Sequence, residues 1–257
     1  MNPDQSSISG GVPTNAPAGQ ADVTQPRQAD RRDRNRPRLF AVLAGLAAGL
    51  LAFALGEAMH DFFVPAKEER IASGAPVLTI TPETHAAAVA KNASLVFAIL
   101  GGSLGFLLGL AGGIAGRSSQ RGIRAGVIGL VLGVVLGAAL PLAFVVPYFH
   151  LQQRLSSDSL LVPLGMHALF WGPLGAAAGL AFGMGLGERM SDSLRLALLA
   201  CLGACLGAAI YEMVGPMVDP FAETSDPLST TLVTRLLARL LVAAGVGLAI
   251  GVGVLSS

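Results

Sequence analysis

Charged side chains are scarce in this chain. Asp, Glu, Lys and Arg make up 13% of its 257 residues, about half the share usual in globular proteins. A water-soluble domain needs a charged shell around its core, and most of this sequence cannot supply one. A hydrophobic content of 53% and a mean hydropathy of +0.64 point to a membrane protein instead. Lysine is almost missing: only Lys67 and Lys91 accompany the arginines among 17 basic residues. The net charge of +1 gives no overall attraction to polyanions, so no nucleic-acid partner is expected.

Cysteine is nearly absent as well. Cys201 and Cys205 stand four apart in an apolar stretch with no His or acid between them. They share a helix face, and read as two small packing residues rather than a metal or redox pair. The motifs G-x-x-x-x-G-K-[ST], H-E-x-x-H and G-x-S-x-G are missing. Neither an enzymatic activity nor a cofactor or metal is expected.

Long apolar runs are abundant. A bilayer-spanning helix needs about 20 predominantly apolar residues, and six segments meet that length: 39–56, 92–116, 125–149, 160–187, 196–218 and 231–255. In hydrocarbon only a helix or a closed barrel satisfies its own backbone. The expected fold is an all-α membrane protein with six transmembrane helices over 39–257. Residues 1–38 are rich in Pro, Gln, Ser, Asn and Asp without periodicity, and are expected to form a disordered tail.

That tail ends in RRDRNRPR, against the first span. Arginines there would bind anionic lipid head groups and set the topology. Arg117, Arg121 and Arg124 follow the second span, and Arg189 and Arg195 follow the fourth. The opposite loops carry Glu68, Glu69, Glu83, Asp158, Asp219, Glu223 and Asp226. The positive-inside rule then places both termini in the cytoplasm of a bacterial inner-membrane protein. Thr81-Pro82-Glu83 and Asp226-Pro227 read as helix starts on the outer side, an N-cap followed by Pro.

One motif recurs. GLAGG at 109–113, GLAFG at 179–183 and GLAIG at 247–251 are spaced by 70 and 68 residues, near the inner ends of the even spans. A two-helix hairpin used three times accounts for this spacing. A fourth copy, GLAAG at 45–49, sits in an odd span and fits composition alone. Lipid gives no hydrophobic drive for helix association, so small residues four apart serve to bring backbones together. Gly105, Gly109, Gly113, Gly175, Gly179, Gly183, Gly247 and Gly251 are the expected packing positions. The same glycine faces suit a homo-oligomer.

Ionisable residues gather toward the opposite end of the spans. Glu57, His60, Asp61, His150, His167, Glu212, Arg235 and Arg239 form a candidate polar cluster. Glu57 and Glu212 stand at matching heights, 19 and 17 residues beyond Arg38 and Arg195. Because the fifth and sixth spans are joined by one connection, Glu212 is expected to approach Arg235 or Arg239, with Arg239, the deeper of the two, favoured. The functional expectation is a non-enzymatic structural or assembly component. The alternative is a small transporter or channel using the polar cluster.

The topology has a direct test. In a background lacking Cys201 and Cys205, a cysteine at Ser73 should react with an impermeant reagent added outside, and one at Ser119 should not. Reversed labelling would invert the orientation.

Overall fold

The computed structural model describes residues 25–72, 75–154 and 161–255. Six helices carry the fold: α1 (Gln25–Ala58), α2 (Pro82–Ala115), α3 (Ser119–Arg154), α4 (Leu161–Leu186), α5 (Met190–Val218) and α6 (Leu232–Gly253). All six are long and apolar enough to cross a membrane, and the chain is a multi-pass membrane protein. The first 24 residues of the expected tail, together with Ser73 and Asp158, lie outside the described residues; from Gln25 the backbone belongs to α1.

One element was not foreseen. Between α1 and α2 the strands β1 (Lys67–Ala72) and β2 (Ala75–Ile80) pair antiparallel, with Lys67 opposite Ile80 and Ala72 opposite Ala75. Asn92 holds the chain that leads into this hairpin: its side chain accepts from the Phe63 N–H and donates to the Phe63 carbonyl, both at 2.9 Å. Thr81 then starts α2 as a capping box with Thr84. In the first turns of α2, Ala86, Ala88 and Ala90 are buried while Glu83, His85 and Lys91 are exposed. Asp226-Pro227 does not start α6, which begins five residues later behind Thr231.

The helices close in a circuit. Each packs on the next in sequence, and α6 packs on α1. Arg38 Nε donates to the Gly251 carbonyl at 3.0 Å, so the start of the first span and the end of the last lie side by side. The even helices are the inner ones. In the most apolar stretch of α2 and of α4, 67% of residues are buried, against 22% in α3 and 33% in α1.

The repeated motifs take the same place three times. Gly105, Gly109 and Gly113 of α2 face Gly129, Gly126 and Gly122 of α3. Gly175, Gly179 and Gly183 of α4 face Ala200, Leu196 and Ser193 of α5. Gly247 of α6 faces Ala41 and Val42 of α1, while Gly251 has only ordinary clearance beside Arg38. In each case the motif of an even helix meets the following odd helix, with α1 following α6. GLAAG at 45–49 belongs to the same seam from the other side: Gly45 and Gly49 face Ala243 and Arg239.

These contacts are backbone to backbone, so a side chain cannot yield by rotating. A methyl on Gly179 would stand 2.5 Å from the Leu196 carbonyl oxygen, whereas one on Gly165 would meet nothing within 4 Å. Gly179→Leu should therefore lower stability by roughly 1–3 kcal/mol through overpacking. Gly165→Ala should be neutral or stabilising by up to about 1 kcal/mol through helix propensity. Thermal unfolding of both variants in detergent checks the contrast; equal effects would remove the packing account of the motif.

Candidate functional site

Glu57 lies in the last turn of α1, where the circuit brings α6 against it. Arg235 grips it with two hydrogen bonds, Nε to Oε1 and Nη2 to Oε2, both 2.8 Å. This two-point geometry is the strongest form of a charged hydrogen bond. The remaining Arg235 nitrogen, Nη1, donates to the Thr230 carbonyl at 2.8 Å, fastening the loop before α6. One turn further, Arg239 Nη1 donates to Glu57 Oε1 at 3.3 Å and to the Phe53 carbonyl at 3.2 Å. Its guanidinium lies over the Phe53 ring, 5.5 Å from the centroid. Gly56 leaves the space for it: a methyl there would stand 2.6 Å from Nη2. Arg239 is 5% exposed.

A second acid–base pair joins α4 to α5. His167 Nδ1 and Glu212 Oε1 stand 2.5 Å apart, with the histidine 1% exposed. They are in ion-pair contact but out of line for a hydrogen bond, and both atoms are buried. The His167 ring lies 4.8 Å from Trp171 and meets Tyr211 edge-on at 5.8 Å. Trp171 Nε1 and the Tyr211 hydroxyl are also buried without a hydrogen-bond partner. Such groups are uncommon in folded proteins and point to something small that would satisfy them.

Between the two pairs lies a cavity of about 30 Å³. Its polar wall is His167, Trp171, Tyr211, Ser229, Arg235 and Arg239; Val96, Phe97 and Leu100 of α2 line the apolar side. Glu57 and Glu212 stand behind the bases and do not reach this wall. Pro227 and Leu228 of the α5–α6 loop close it. That loop is tied to α3 by the Tyr148 hydroxyl, which donates to the Ser225 carbonyl at 2.6 Å. Beside it, burial pushes the Asp226 carboxyl up to about 6, with the neighbouring Glu223 adding to the shift.

The polar cluster thus divides. Glu57, Arg235 and Arg239 come together, and His167 with Glu212 faces them across the cavity. Glu212 meets His167, not Arg239. The fifth and sixth helices are indeed neighbours, but the phase of α5 turns Glu212 toward α4. His60 and Asp61 pair with each other at 2.9 Å in the turn after α1, with Asp61 exposed. His150 sits elsewhere, in a cleft with Pro82, Glu83 and Phe149. Among the described residues no three His, Cys, Asp or Glu side chains converge as a metal site. Cys201 and Cys205 both lie against Gly172 of α4.

Sequence reasoning missed Trp171 and Tyr211 as parts of this site. A signal was present in the repeat. Twelve residues before the three motifs stand Phe97, His167 and Arg235; eight before them stand Gly101, Trp171 and Arg239. Five of these six line the cavity. Both acid–base pairs join an even helix to the next odd one, His167 with Glu212 and Arg235 with Glu57. In the α2 copy Phe97 holds the place of the base.

The chain has no match among protein-family models, curated proteins or solved structures.

Breaking a buried ion pair from one side strands the other charge and costs about 3–5 kcal/mol. Glu57 serves two arginines and Glu212 a single histidine. Glu57→Gln should therefore lower thermal stability more than Glu212→Gln. Combining Glu57→Gln with Arg239→Met should recover part of that loss. The opposite ranking of the single variants would reject the three-residue cluster as the stronger tie.

Proposed function

We propose that the protein is a non-enzymatic structural component of a bacterial inner membrane, with both termini cytoplasmic. The observation that carries this reading is the use made of the charged groups. Glu57, Arg235 and Arg239 are bound to one another and to backbone carbonyls, and the seams toward the other end are closed by glycine against backbone. A conducting protein keeps such groups on a water-filled path. The tail arginines suit anionic lipid head groups. With the repeated glycines turned inward, copies of the chain would associate through apolar rows facing outward, such as Leu194, Leu198, Leu202 and Leu206 of α5.

The second reading is a small transporter, and the polar cavity favours it. Vesicles holding the full chain separate the two. With pH-sensitive and halide-sensitive dyes and imposed gradients, the structural reading expects no flux of protons, sodium, potassium or chloride above empty vesicles. Flux that disappears in Arg239→Gln would overturn it in favour of transport.

A further inference from the structure

We propose that the cavity between α2, α4 and α6 binds one small monovalent anion, taken up together with a proton held between His167 and Glu212. This goes beyond the structural reading, since an anion can be bound without being carried across.

The sign of the ligand follows from the wall. Arg235, Arg239 and His167 line it, while neither Glu57 nor Glu212 is among its lining residues. The Trp171 N–H can only donate, and it has no partner. The Tyr211 hydroxyl, buried beside Ser229, can donate as well. A cation would find no carboxylate there.

The size follows from the volume. About 30 Å³ is room for a water or two, or for one monatomic anion in their place.

The proton follows from the charges. Arg235 and Arg239 share one carboxylate, which leaves a single positive charge at the cavity. His167 with Glu212 is neutral when the two hold one proton and carries one negative charge when they hold none. An anion therefore completes neutrality only in the protonated state. His167 is faced by Glu212 and Tyr211 from α5, by Arg235 and Arg239 from α6 across the cavity, and by Asp226 from the loop. From α2 it meets the apolar wall of Val96, Phe97 and Leu100. Protonation of Asp226 acts in the same direction as protonation of the pair. Burial in a low-dielectric site makes each unit of charge count far more than in water.

Trp171 is the only tryptophan of the chain, so its fluorescence reports the cavity. The full chain in detergent is titrated with chloride replacing gluconate at constant ionic strength, at about pH 5.5 and about pH 7.5, on either side of the usual histidine range. The expected result is a saturable change in emission with chloride, with an apparent Kd about tenfold lower at the acid pH, a coupling of ordinary size. His167→Gln should keep the saturation and lose most of the pH dependence, leaving the part that Asp226 supplies, and Arg239→Gln should lose the saturation. The wild-type arm needs no variant to fold. A flat or linear response to chloride, or equal affinity at both pH values, would overturn the proposal. Chloride binding without flux in vesicles leaves the structural reading intact, whereas flux without saturable binding in detergent would defeat both.

Discussion

Hydrocarbon gives two apolar helices no reason to prefer each other over lipid. What remains is contact at short range, and contact is closest where side chains are absent. Every other feature of this fold depends on that constraint. The helices approach until the backbone of one meets the backbone of the next, as at Gly105 with Gly129 and Gly203 with Gly245. Dispersion is weak per atom pair and falls quickly with distance, so a seam of this kind gains from many atoms at once. It also tolerates little change in shape.

The cavity is the counterpart of that close approach. Toward the glycine end, Gly112 reaches the Phe182 carbonyl and Gly185 reaches Gly109, drawing α4 onto α2. Toward the hairpin end the same helices carry Phe97, Phe170 and Trp171, with ring centroids 5.4 Å and 6.4 Å apart for the two Phe97 pairs. α6 brings arginines there instead of a matching aromatic. Large rings and long bases cannot fill a three-sided space as completely as a methyl row. The helices therefore pack tightly at one end and leave a small cavity with a few polar groups at the other. Ionisable groups in such a place must find partners, and the circuit provides one acid from α1 and one from α5.

The six spans were plain in the sequence because length and apolarity suffice to define them. The hairpin β1–β2 was not. Its strands, KEERIA and APVLTI, are six residues each, the first mostly charged and the second mostly apolar, and neither shows an alternation strong enough to stand out. The glycine positions were legible as small-residue rows, but their partners were not, since a row does not name the helix it faces. The polar site was harder. Glu57 binds an arginine 178 residues away, and only the closure of α6 on α1 makes that pair possible. Glu212 was assigned by chain proximity, while its rotation about the axis of α5 decided otherwise. The better guide was register within the repeat, which places His167 and Arg235 at one height and Trp171 and Arg239 at the next.

The closure of the last helix on the first also bears on how the protein is made. A membrane protein of this kind is inserted from its N-terminal end, as synthesis proceeds at about 5–20 residues per second. Glu57 therefore emerges with the first helix, long before Arg235 and Arg239 exist. Through most of synthesis it has neither arginine to neutralise it, and the groove on α1 opposite Gly45 and Gly49 stays open to lipid. Water at the hydrated rim of the bilayer is its partner during that interval. Maturation of the bundle is then a late event, in which arrival of the sixth helix closes the circuit and supplies both arginines in a single step. A nascent chain stopped before that helix would be left with an unsealed first helix.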